Sequence, residues 1–134
     1  MTSTTSEAAT ALATRLAERC ASDGEFRLMA RYWTGSLTVD LDGASLAFVL
    51  TEGHIDAVPP GIANGVAHIG LAAPREVWDK VLAPVPPPFF NDIMPARAFG
   101  LRVSGDEETL WQYYPAVRRL IDLLREEYAD AASL

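Results

Sequence analysis

Cysteine, lysine and histidine are scarce in this chain. Cys20 is the single cysteine in 134 residues, so no internal disulfide can form and no cysteine-built zinc site is available. Its place on the apolar side of a helical segment predicts a buried, inert thiol. Lys80 is the only lysine, and the rest of the positive charge is arginine. The two histidines, His54 and His68, lack a carboxylate partner at metal-ligand spacing, so no metal site is expected. There is no Gly-rich phosphate loop, and Gly35-Ser36 lacks the Gly-x-Ser-x-Gly setting of a serine nucleophile. No cofactor is expected. No window approaches the ~20 apolar residues of a membrane span. The first residues lack a basic start and a continuous apolar run, so they do not read as a secretory leader, and the cytoplasm is the expected location.

Excess positive charge is also missing. Eleven basic residues face eighteen acidic ones, for a formal net charge of −7. Phosphate binding needs a positive footprint, so no nucleic-acid partner is expected. The same balance disfavours an anionic membrane surface, and no membrane insertion is expected. What remains is ordinary for a globular protein: 49% hydrophobic and 22% charged residues. The length suits one domain over 1–134, with an ordered core over about 7–128.

Periodicity divides the chain. Leu12, Leu16 and Cys20 recur every four residues, predicting a helix over 4–22 with Thr4 and Glu7 at capping-box spacing. From Phe26 the period reads as two. Phe26 to Trp33 is expected as a strand, followed by strands around Leu37 to Leu41, Leu46 to Leu50 and His54 to Val58. Asp42-Gly43 and Glu52-Gly53 mark the turns of an antiparallel meander. Asn64-Gly65 marks a further turn, and Val66 to Ala72 another strand with His68 facing away from Ile69 and Leu71. Pro74 suits a helix start over 74–83. The run Pro84-Val85-Pro86-Pro87-Pro88 is expected as an extended turn, with a short helix near Ile93 and a last strand over Phe99 to Ser104. Ser104 and Glu107 have capping-box spacing before a final helix carrying Leu110, Tyr114, Val117, Ile121, Leu124 and Tyr128 on one face. Pro115 either kinks that helix or starts a second one. The expected fold is α+β, an antiparallel-dominated sheet of about five strands covered by helices on one face.

This pattern resembles the sterol carrier protein type of lipid-binding domain. The stretch Gly65 to Leu82 (GVAHIGLAAPREVWDKVL) looks like that family's strand and following helix, and Ala98 to Asp106 (AFGLRVSGD) like its last strand. The resemblance covers about 7–128. It departs from the simplest pattern in the proline run with Phe89-Phe90, and in the aromatic cluster Trp111 to Pro115. The resemblance implies a hydrophobic cavity between sheet and helices. Trp33, Phe48, Trp78, Leu82, Phe89, Phe90, Met94, Trp111 and Tyr114 are candidate ligand-binding residues, each of which would serve equally as ordinary core. The expected function is holding a steroid, fatty acyl or polyketide-like molecule. A cofactor-free cyclase, isomerase or hydratase is the alternative, with His68 and Tyr114 as candidate catalytic groups. A non-catalytic accessory subunit, docked on a partner enzyme or paired as a homodimer, is a third.

Overall fold

The computed structural model describes residues 2–61 and 67–132, and side chains from 7 to 61 and from 67 to 130. The four-residue step in the first segment becomes helix α1 (Thr2–Ser22). Its buried face is Ala9, Leu12, Ala13, Leu16, Ala17 and Cys20. Thr4 lies inside this helix rather than at its start, so the capping-box spacing there does not mark a boundary.

The expected strand Phe26 to Trp33 is instead helix α2 (Gly24–Ala30). Phe26 and Ala30, four apart, are both fully buried, while Leu28 and Tyr32 are exposed. An alternating pattern is ambiguous over so short a run, and the cap settles it. Asp23 has extended backbone angles, and its carboxylate accepts from the Phe26 amide at 2.8 Å. That satisfies one of the amides a helix start leaves unpaired. Asp23 also holds Arg119 in a two-bond fork at 3.0 and 2.8 Å.

The sheet has the order β3-β2-β1-β4-β5. Strands β1 (Gly35–Asp40), β2 (Ser45–Thr51) and β3 (His54–Val58) form the meander. Both turns carry positive φ at their two central residues, Asp42-Gly43 and Glu52-Gly53, the backbone that matches strand twist. Strand β4 (His68–Ala72) then runs parallel to β1, and β5 (Arg102–Gly105) closes the far edge antiparallel. The sheet is thus mixed, antiparallel at three of its four pairings. Asn64-Gly65 lies outside the described residues.

Register sorts the two faces. Leu37 stands between Phe48 and Ile69, and Val39 between Leu46 and Leu71. These six are buried and form the inner face. Ser36, Thr38, Asp40 and His68 alternate onto the outer face. Helix α1 lies against β2 and β3.

Pro74 caps α3 (Arg75–Val81), which buries Trp78 and directs its Nε1 to the Asp40 carbonyl at 2.7 Å. The proline run leads to α4 (Ile93–Ala96) and a 3-10 turn, Arg97–Phe99. The last strand therefore begins at Arg102 rather than Phe99, because Gly100, at φ 117°, ends that turn first. Ser104 is taken up by the sheet, opposite Gly70, so Asp106 rather than Ser104 caps α5 (Glu107–Gln112). Tyr113 breaks the helix at φ −111°, ψ 20°. Helix α6 (Tyr114–Ala132) follows, with Pro115 in its first turn, where a missing amide proton costs nothing. It packs on α1 and α2.

Two measurements test these assignments. Gly105 has φ 97°, and an added Cβ would run into the His68 carbonyl. Gly43 has φ 101° with open space around it. Gly105→Ala is expected to cost about 2–4 kcal/mol in urea unfolding and Gly43→Ala about 1 kcal/mol; equal costs would contradict the β4–β5 packing. The second concerns Asp23, whose carboxyl is held down to about 2, first by its hydrogen bonds from Arg119 and then by the Phe26 amide. A depressed folded pKa contributes stability above the unfolded value of roughly 3.9, lost as pH falls toward about 2. Asp23→Asn keeps a capping oxygen but loses the charge. It is expected to lower stability by about 1–2 kcal/mol at neutral pH, with the gap to the unsubstituted chain closing as pH drops through that window.

Candidate functional site

The sequence candidates fall into an interior group and a surface group. Trp33, Phe48 and Trp78 are fully buried, and Leu82 and Phe90 nearly so. All five belong to one continuous apolar core with Leu37, Ile69, Leu71, Leu110 and Tyr113. Met94 and Tyr114 pack against that core while half-buried. Phe89 and Trp111 are instead 62% and 54% exposed. Phe89, at φ 74°, is turned outward beside Phe99, with ring centres 5.9 Å apart. Phe99 in turn leans on Phe90 at 5.0 Å, and the Lys80 ammonium stands 5.1 Å from the Phe90 ring. Sequence reasoning places Phe89, Phe90 and Trp111 in one cavity wall with Trp33, Phe48, Trp78, Leu82, Met94 and Tyr114. The structure separates Phe89 and Trp111 from it as surface residues, since the proline run ends with Phe90 facing in and Phe89 facing out.

Inside, the arrangement turns on Trp33. Its ring lies parallel to Tyr113, 5.3 Å between centres and 7° between planes. This contact joins the entry to β1 with the break between α5 and α6. Sequence reasoning misses Tyr113, because a continuous helix through Pro115 would put Tyr114 on the buried face instead. The Trp33 backbone is fixed on both sides: its amide donates to the Ala30 carbonyl at 2.8 Å, and its carbonyl accepts from Gly53 at 2.9 Å. Its Nε1 is buried without a hydrogen-bond partner among the described residues.

The two candidate catalytic groups are not brought together. His68 sits on the outer face of the sheet. There Ser36 Oγ lies 2.7 Å from its Nδ1 and Thr38 Oγ1 lies 3.3 Å from its Nε2. Tyr114 is on the helical side and donates its hydroxyl to Asp92 at 2.5 Å. Burial, together with Asp92, raises the Tyr114 pKa, so its proton is held rather than offered. Arg118 approaches the other Asp92 oxygen at 3.5 Å. These contacts serve as a strut between α6 and the start of α4. Cys20 is buried and its thiol is pushed up to about 12 by desolvation, as an inert core cysteine should be. His54 is exposed and pairs with Asp56 at 3.3 Å.

Two surface grooves adjoin β3. One, of about 500 Å³, runs between α2 and the β2–β3 turn and is walled by Arg27, Leu28, Arg31, Glu52, His54 and Ile55 among others. The other, of about 340 Å³, follows α1 past Ala17, Ala21, Ile55 and Ala57. Neither includes any candidate ligand-binding residue. The first is rimmed by charge and suits a polar contact better than an acyl chain. Among the described residues no cluster of histidine, cysteine and carboxylate could hold a metal ion, and no helix is long and apolar enough to cross a membrane.

No family model matches the sequence, and no curated protein does. Solved structures do match in shape. A crystal structure of sterol carrier protein 2 is similar at a TM-score of 0.65 and 22% identity, over 87% of this chain and 95% of that one. A conserved hypothetical protein from Thermus thermophilus, described as possibly a sterol carrier protein, gives 0.60 at 21% identity over 87% and 86%. UbiJ-SCP2, a ubiquinone synthesis protein, gives 0.54 at 18% identity over 87% and 94%. The mixed five-stranded sheet with its helical cover is therefore the fold of the sterol carrier protein 2 domains.

Proposed function

We propose that this chain binds and carries a hydrophobic small molecule, of steroid, fatty acyl or polyketide-like character, against the inner face of its sheet. The observation that carries this reading is the shape shared with sterol carrier protein 2 at a TM-score of 0.65. The residues are consistent with it. The inner face offers only apolar side chains, Leu37, Val39, Leu46, Phe48, Ile69 and Leu71, and aromatic groups from α3, the Trp33 segment and Tyr113 stand in the same core. A ligand burying ~300 Å² there would gain about 7 kcal/mol before the cost of association. Of the candidate residues, Trp33, Phe48, Trp78, Leu82 and Phe90 are the ones proposed to touch it, with Met94 at its margin. Phe89 and Trp111 are too exposed to line an enclosed site. The net charge of −7 leaves nucleic acid disfavoured as a partner.

Native mass spectrometry of the freshly purified protein is expected to show a retained lipid-sized mass. A saturating fatty acyl or steroid ligand, at a hundredfold excess over Kd, is expected to stabilise the fold by about 2.7 kcal/mol and raise the Tm by roughly 10 °C. A protein that retains nothing, and whose Tm is unmoved by a panel of fatty acids, acyl esters and steroids, would sink the carrier reading.

A further inference from the structure

The three tryptophans differ in what their indole N–H does. Trp111 is more than half exposed, so water is available to it. Trp78 is fully buried and donates to the Asp40 carbonyl at 2.7 Å. Trp33 is just as buried and donates to nothing among the described residues. Buried indole donors are ordinarily paired, because stripping one of water without return is costly. An orphan in such a core therefore calls for an explanation.

The surroundings of that atom are specific. A Cβ on Gly35 would stand 3.3 Å from Trp33 Nε1, and it would also meet the Ala67 carbonyl at 2.7 Å. Position 35 thus has no room for a side chain, and its glycine is what lets the indole pack this close to the strand. Gly35 and Ala67 are both only half-buried, so the donor lies one layer beneath partly accessible backbone. Ala67 itself takes φ 58°, a conformation L-residues adopt at some cost. On the other side, the flat stack on Tyr113 holds the ring in one orientation. A donor held by a stacked ring, packed against a glycine and unpaired among the described residues, is left for an acceptor that the described residues do not supply.

We infer that Trp33 Nε1 is the polar anchor of the carried molecule and accepts only ligands bearing a neutral oxygen acceptor, a ketone, ester or hydroxyl, at one end of an apolar body. This rests on the carrier reading above. Indole N–H is a donor only, so the partner must accept. Gly35 and the Tyr113 ring, which lie against the indole, carry no charge. A carboxylate buried there would be unpaired and heavily penalised. A pure hydrocarbon would leave the orphan unsatisfied. The anchor therefore selects oxygenated, uncharged lipids over both.

Methyl palmitate and hexadecane are the probes, one with a neutral acceptor and one without. In the unsubstituted protein, the Trp33 indole N–H resonance is expected to move downfield with methyl palmitate and to stay in place with hexadecane. Trp33→Phe is expected to weaken methyl palmitate binding about tenfold and to leave hexadecane within about twofold. Replacing the Trp33 side chain by its benzothienyl isostere, in which sulfur stands for N–H, should do the same with the ring shape and the Tyr113 stack retained. Methyl palmitate that binds without moving the Trp33 signal, or binds the isostere with undiminished affinity, overturns the anchor and leaves the carrier reading standing. Failure of both probes, together with the whole panel of fatty acids, acyl esters and steroids, to bind the unsubstituted protein overturns the carrier reading and the anchor with it.

Discussion

The stack of Trp33 on Tyr113 is the contact around which the fold is organised. It ties the point where the chain enters β1 to the point where the C-terminal helices break. Without the break at Tyr113, α5 and α6 would run as one helix, and the aromatic ring presented to the core would change. With it, Leu110 and Tyr113 face the sheet side from α5, while Ala116, Val117, Leu120, Ile121 and Leu124 continue the buried face from α6. Aromatic pairs of this kind add about 0.5–1.5 kcal/mol beyond their buried area. That gain is of the same order as the cost of leaving an indole N–H dry, about 1–3 kcal/mol. The core thus tolerates the orphaned donor of Trp33 without being stabilised by it.

The sheet divides its labour between faces. The inner face is aliphatic and aromatic throughout, and the helices close over it. The outer face alternates hydroxyls, the His68 imidazole and Asp40, and its polar groups bond to one another: Ser36 and Thr38 hold the two nitrogens of His68. Period-two alternation makes this separation unavoidable, since a residue's neighbours in sequence must point to the opposite side. It also removes His68 from any chemistry on a ligand held inside. The ion pair between Asp23 and Arg119 has a comparable organising role on the helical side, where it fixes the α1–α2 junction against α6.

Much of this is legible in the sequence. The Asp42-Gly43 and Glu52-Gly53 turns fix their hairpins because few other pairs accept positive φ at both positions. The outward direction of His68 follows from the apolar alternation of Ile69 and Leu71. The segment Phe26 to Trp33 misleads, because seven helical residues make barely two turns and Phe26, Leu28, Ala30 and Tyr32 also satisfy a period of two. The deciding feature is Asp23, which looks like a helix end and acts as a helix cap. Phe89 and Phe90 cannot be told apart by type; a single left-handed residue sends one out and keeps the other in. The unpaired Trp33 N–H has no signature in sequence at all, since it depends on Gly35 and Ala67 meeting between β1 and the start of β4.

Isotope-filtered NOE contacts between bound methyl palmitate and the assigned protein would decide whether a hydrophobic molecule lies against the inner face of the sheet. Contacts from the acyl chain to Leu37, Ile69 and Leu71 are expected, with the ester end near the Trp33 indole. Contacts confined to Thr38 and His68 on the outer face, or to Leu28 and Arg31 in the groove beside β3, would contradict it.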